Sequence, residues 1–152
     1  MRANATILVV DDEEVVRRSH LRVLRSEQCH VEVADDGEQA LRAMEVQPYD
    51  VVLLALRMPG IDGMTVLKTM KRRWPESEVV VITGYPSIDT AKEAIRLGAC
   101  DYLAKPLAPC EVIGAANGAM ERKHWALRRE SDGAIEAGNS RHSAQHLSGI
   151  AS

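Results

Sequence analysis

Residues 50–63 read DVVLLALRMPGIDG, and the unbroken apolar run Val51–Leu54 within them decides the fold. A strand with one wet face alternates apolar and polar residues, whereas consecutive apolar residues mark a strand buried on both faces, as in a parallel sheet covered by helices on each side. Just downstream, Val66, Leu67 and Met70 share one helical face, with Asp62 placed as its N-cap. Moving outward, the same alternation recurs. Ile7–Val10 precedes a helix marked by Val16, His20, Val23 and Leu24, and Val31–Val33 precedes Ala40, Leu41 and Met44. Val79–Ile82 precedes Ile88, Ala91, Ala94 and Ile95, with Ser87 as N-cap, and Tyr102–Leu103 precedes a helix starting near Pro109. Pro48, Pro75 and Gly98 follow helical stretches, as chain punctuation should. The pattern is βα repeated five times, an α/β, doubly wound parallel sheet.

The last helix continues through Met120, Trp125 and Leu127 to Glu130, longer than covering a sheet requires, so its end is expected to project. Residues 131–152 are rich in Ser, Gly, Ala, Asn and His without any period. They are expected to form a disordered tail with no room for an output domain, which leaves residues 1–130 as the one folded domain.

Bulk composition narrows the function. At 45% hydrophobic and 27% charged the chain is ordinary for a soluble globular protein, and its net charge of -3 leaves no basic footprint for direct nucleic-acid binding. Cys29, Cys100 and Cys110 are odd in number and lack CxxC spacing, which argues against a disulfide framework or a zinc site and fits a reducing cytoplasm. Ile7–Val10 is too short for a signal peptide or a membrane span, and no later apolar run approaches the length of either, so no membrane association is expected.

In an open parallel sheet, ligands bind beyond the carboxyl ends of the strands. Those ends carry Asp11 and Asp12 after the first strand, Ala55 at the third, Thr83 at the fourth and Lys105-Pro106 after the fifth. Adjacent acids suit a hard divalent cation such as Mg²⁺, while Thr and Lys donate naturally to phosphoryl oxygens. Taken singly, each has a bland reading as a helix cap, a solvated turn or a surface charge. Their joint order is more specific.

From about Ala5 to Met120 the chain resembles the receiver family of response regulators, carried by VVDDEE, DVVLLALRMPGIDG, VVVITGYPS and GACDYLAKPL. The last two phrases look most like receivers of enhancer-binding transcriptional regulators. The resemblance implies a five-stranded sheet in the order 2-1-3-4-5, an order that is also the general one for flavodoxin-like and chemotaxis-receiver folds. It further implies that Asp12 binds Mg²⁺ directly, Asp11 acts mainly through water and the Arg57 backbone carbonyl completes the protein ligands. Thr83 and Lys105 would hold the phosphoryl group, and Tyr102 would report the Thr83 position to the surface of the fourth helix, fifth strand and fifth helix. A cis Lys105-Pro106 bond, a sensor histidine kinase or downstream signalling protein as partner, and a homodimer through that same surface are implied as well.

The family places its phosphate-accepting aspartate where this chain has Ala55, and a methyl group is no nucleophile. Asp50 lies five residues upstream on the same strand, about 16 Å toward the opposite edge, and Asp62 is read as a cap, so neither is expected to substitute. The lost carboxylate is also a metal ligand in the family, so Mg²⁺ affinity should be weakened, while repulsion around Asp11 and Asp12 should ease. A natural loss and a substitution introduced in the laboratory both fit, and the intact Thr83 and Lys105 favour a recent or deliberate change. The readings to weigh are a signalling module without phosphotransfer, a receiver that catalyses its own phosphorylation, and a dimerising scaffold. His142 and His146 in the tail, His20 on an apolar stripe, and Lys71-Arg72-Arg73 at a helix end are read as tail, packing and solvated terminus respectively.

Overall fold

A computed structural model of the chain describes residues 5–25, 27 and 29–135. Five strands, β1 (Thr6–Val10), β2 (His30–Ala34), β3 (Val51–Ala55), β4 (Glu78–Thr83) and β5 (Asp101–Ala104), alternate with helices α1 (Glu14–Arg25), α2 (Gly37–Val46), α3 (Gly63–Arg73), α4 (Ile88–Arg96) and α5 (Pro109–Ile135). All strand pairs are parallel, in the order β2-β1-β3-β4-β5. This is the α/β architecture and strand order that the apolar runs and the family resemblance imply.

Successive strand residues point to opposite faces, and each face has its own core. Leu8, Val10, Val52, Leu54, Val79 and Val81 pack with Ala40 and Met44 of α2, Val66, Leu67 and Met70 of α3 and Ala94 of α4. Ile7, Val9, Val51, Leu53, Val80 and Ile82 pack with Leu24 of α1 and Val112, Ala115, Ala116 and Ala119 of α5. Burial on both sides is why β3 shows no polar alternation. The edge strands β2 and β5 are partly exposed and correspondingly more polar.

Caps fix where the helices begin and end. Ser87 accepts a hydrogen bond from the Thr90 N–H at α4, as its residue type predicts. Asp36, which sequence reading missed, caps α2 through the Gln39 N–H. Asp62 holds the N-cap position of α3, but its exposed carboxylate makes no capping bond; its backbone carbonyl instead accepts from Val66 N–H. Gly98 closes α4 at φ +110°, a conformation that side-chain-bearing residues rarely adopt. Lys71 donates to the carbonyls of Pro75 and Ser77, and Arg73 pairs with Glu45, so these two residues of the basic run at the end of α3 serve local structure.

Helix α5 runs to Ile135, five residues into the stretch expected to be tail, because no proline after Pro109 interrupts its hydrogen-bond ladder. Residues 136–152, with His142 and His146, lie outside the described residues. At the amino-terminal edge of the sheet, Asp50 accepts from the N–H and hydroxyl of Thr6 and pairs with Lys123 of α5 at 2.7 Å. That network pins α5 to β1 and β3 at the end opposite the candidate site. No helix among the described residues is long and apolar enough to cross a membrane.

Candidate functional site

Parallel pairing brings the carboxyl ends of β1, β3, β4 and β5 to one edge, with Val10 beside Leu54, Ala55 beside Ile82 and Thr83 beside Ala104. The residues that follow therefore converge without depending on loop conformation. The Lys105 N–H donates to the Thr83 carbonyl at 2.8 Å, and its bond to Pro106 is cis. Its side chain turns back across the sheet edge, placing Nζ 2.7 Å from Asp11 Oδ2 and 3.1 Å from Glu13 Oε1. Burial opposes the charge on Lys105, but these hydrogen bonds and the field of the two carboxylates win and hold its pKa above the usual lysine value.

Asp11 is buried, and its two oxygens are both engaged: Oδ2 by Lys105 and Oδ1 by the Glu13 N–H at 3.0 Å. Its carbonyl accepts from Arg17 Nη1, and Arg17 in turn lies 3.4 Å from Asp35. Asp12 and Glu13 are exposed beside it, and carboxylate oxygens of the three residues lie within 4.8 Å of one another. Such a group of hard oxygen donors fits Mg²⁺, which takes one or two carboxylates and keeps waters in its remaining positions. Glu13 was not singled out in the sequence; the third acid of VVDDEE was the available signal, but adjacency does not say which acids turn inward.

Ala55, 3% exposed, contributes only a methyl group to this edge. Thr83 is buried, its hydroxyl accepting from the Tyr85 N–H at 3.0 Å. Tyr102 is not turned onto Thr83 by any hydrogen bond among the described residues. Its hydroxyl lies 2.6 Å from Thr90 Oγ1 and accepts from the Ser87 N–H, tying β5 to the first turn of α4. Arg57, exposed two residues after Ala55, stacks its guanidinium 4.1 Å over the Tyr85 ring. Asp50 belongs to the network at the other end of the sheet, and Asp62 is exposed on the loop before α3.

His20 is buried on α1, and its Nδ1 has no hydrogen-bond partner among the described residues. Burial lowers its pKa; Asp11 pulls against that shift and Lys105 adds to it, which places the imidazole within the field of the site.

Comparison with known proteins agrees with this geometry. Residues 7–117 match the model of the response regulator receiver domain. Transcriptional regulatory protein ZraR of Escherichia coli is 41% identical over 104 residues, covering 68% of this chain and 24% of its own length. An NtrX-like response regulator of Rickettsia bellii is 37% identical over 102 residues, covering 66% of this chain and 21% of its own. The crystal structure of the receiver domain of NtrX from Brucella abortus superposes with a TM-score of 0.72 at 37% identity, over 76% of this chain and 98% of that one. The chain thus spans about a quarter or less of these two curated relatives.

Proposed function

Because the chain belongs to the response regulator receiver family of two-component systems, we propose that it is a signalling module that accepts no phosphoryl group at position 55 and acts through protein–protein contact. The observation that carries this reading is Ala55, buried at the carboxyl end of β3 on the sheet edge that also carries Asp11, Thr83 and Lys105. That edge carries every polar type that a phosphoryl pocket needs, and in this reading a methyl group stands in place of the attacking carboxylate.

Receiver domains bind Mg²⁺ at an acidic pocket and interact with histidine kinases. In this chain Asp12 and the Arg57 carbonyl would hold the ion, Asp11 would act mainly through water, and Glu13 joins the donor set. Mg²⁺ supplies charge neutralisation for phosphoryl oxygens. Thr83 and Lys105 are the phosphoryl-contact residues, left without their ligand by Ala55, and Tyr102 is the switch that couples this edge to α4. Any output must then come from a conformational equilibrium biased by a partner, whether a sensor kinase or a downstream signalling protein. Autocatalysed phosphorylation, the enzymatic reading, has no acceptor here. The setting is cytoplasmic, without direct nucleic-acid contact by this domain. An Asp-to-Ala form of a normally phosphorylated receiver that regulates transcription gives the same chemistry at position 55.

Homodimerisation through α4, β5 and α5 is favoured by the exposure of Ile88 and Ile95 on α4, at 74% and 51%. Light scattering across a concentration series tests that mode. For the site, Mg²⁺ titration and thermal melts of the chain and of Ala55→Asp are the measurement. The substituted form should bind Mg²⁺ more tightly and melt lower without it; equal affinities defeat the reading.

A further inference from the structure

Helix α5 changes the nature of its grip along its length. Val112, Ala115, Ala116 and Ala119 bury against the sheet, with Met120 packed beside them. The next attachments to the sheet among the described residues are ionic. Lys123 Nζ lies 2.7 Å from Asp50 Oδ1, just ahead of β3, and Arg122 Nε lies 4.0 Å from Glu78 Oε1, at the start of β4. We propose that these two contacts form a collar that controls helix order in the part of α5 beyond it, residues 124–135, so that making or breaking the collar switches this arm between helix and coil.

The length of the helix is the first argument. Its 27 residues span about 40 Å, whereas the five residues of β3 cover about 17 Å, so α5 outruns the sheet that supports it. An isolated helix of roughly twelve residues, the length of the arm, is marginal in water, because its first turn is costly to form. Gly133, with Ser131 and Asp132 before it, lowers the helix propensity further. The arm therefore depends on a preceding turn that is already helical, and the collar residues belong to that turn.

The collar is built to hold that turn still. Asp50 Oδ2 accepts the N–H and the hydroxyl of Thr6 at 2.9 and 3.1 Å, which fixes the carboxylate and leaves Oδ1 to Lys123. The side chains of Lys123 and Asp50 are 18% and 26% exposed, so water weakens their attraction less than it would on an open surface. The Glu78 N–H donates to the Asp50 carbonyl at 3.0 Å, joining the two acidic anchors into one unit. Ala55 and Thr83 close the same two strands at their other ends, so the arm is fastened to strands that also carry the candidate site.

The test reads helical population residue by residue from backbone chemical shifts of the full chain, unsubstituted and as Asp50→Asn, Lys123→Met and Arg122→Gln. Asp50→Asn keeps an oxygen for Thr6 and removes only the charge. In Asp50→Asn and Lys123→Met the helix–coil equilibrium constant of residues 124–135 should fall by about tenfold, the worth of a hydrogen bond to a charged group, and in Arg122→Gln by less. Residues 112–119 should keep their parental shifts. Adding Ser131→Ala and Gly133→Ala to Lys123→Met should return helix to the arm without returning the ion pair, since both raise intrinsic propensity. Cooperative melting is the folding criterion, and Arg122→Gln, at an exposed side chain, carries the test if the other two variants fail it. A parental arm in the folded variants overturns the proposal. Equal loss of helix over residues 112–119, or an arm without helix in the unsubstituted chain, overturns it as well.

Discussion

Replacing His20 with leucine should stabilise the protein, and by more in mild acid than in mild base. His20 is 6% exposed and its Nδ1 finds no partner among the described residues, and an unmet buried hydrogen-bonding group costs about 1–3 kcal/mol. Leucine has a similar size and no polar atom. Allowing for some packing misfit, a net gain of about 1 kcal/mol is expected near neutral pH. The pH dependence follows from linkage. Burial holds the folded-state pKa of His20 below the ordinary histidine value of about 6.5, which the unfolded chain keeps. Above that value both states are neutral and His20 contributes no slope. As pH falls below it, the unfolded chain takes up a proton that the native state refuses, so stability is lost until the lowered native pKa is reached. The added loss between about pH 7.5 and pH 5.5 is up to about 1.4 kcal/mol for a native state that stays neutral. Urea denaturation of both proteins at the two pH values measures it, and the difference between them cancels the other titrating groups. A variant less stable than the parent at both pH values, or a gap that does not widen in acid, refutes the reasoning.

Three further outcomes follow from contacts elsewhere in the fold. Gly63→Ala should cost more than about 2 kcal/mol or abolish folding, because its Cβ would lie 2.6 Å from Leu56 Cα, and backbone cannot yield as a side chain can; a melt near the parental temperature contradicts this. Lys123→Met should destabilise by about 1–3 kcal/mol near neutral pH by leaving Asp50 with Thr6 alone. Burial opposes ionisation of Asp50, but hydrogen bonds from Lys123 and Thr6 win and hold its pKa below 3.8, so this penalty should fade only as pH drops through that lowered value; a penalty independent of acid would count against the network. Tyr102→Phe removes the hydroxyl held by Ser87 and Thr90, and amide exchange in the first turn of α4 should quicken by about fivefold, equivalent to about 1 kcal/mol. Unaltered exchange there would show that the tie carries no weight.

What could be read from the sequence depended on the range of the interaction. Strand positions followed from apolar runs such as Val51–Leu54, since burial on both faces leaves a local mark. The order of the strands did not; it came with the family motifs, because periodicity says nothing about which strands are neighbours. Ser87 was legible as a cap, whereas Asp62 had the right type and place but turns its carboxylate to solvent, a choice made by the loop around it. The end of α5 was placed too early because the polar composition after Glu130 resembles tail, although it contains no helix-breaking proline. At the site, Asp11, Asp12, Thr83 and Lys105 were legible as strand-end residues. The closure of Lys105 onto Glu13, 92 positions away, and the Asp50–Thr6 bond spanning 44 positions had no local signature. The lack of a partner for His20 Nδ1 among the described residues was equally hidden, since an apolar stripe predicts burial without saying what the ring meets there.

The most direct test of a phosphoryl pocket lacking only its attacking group is to return that group. The unsubstituted chain and Ala55→Asp are incubated with acetyl phosphate and Mg²⁺, then weighed intact and mapped by peptide. Ala55→Asp should gain one acid-stable, base-labile phosphoryl group on the residue at position 55, and the unsubstituted chain none. A folded Ala55→Asp protein that stays unmodified, or a phosphoryl group on the unsubstituted chain, would contradict the account.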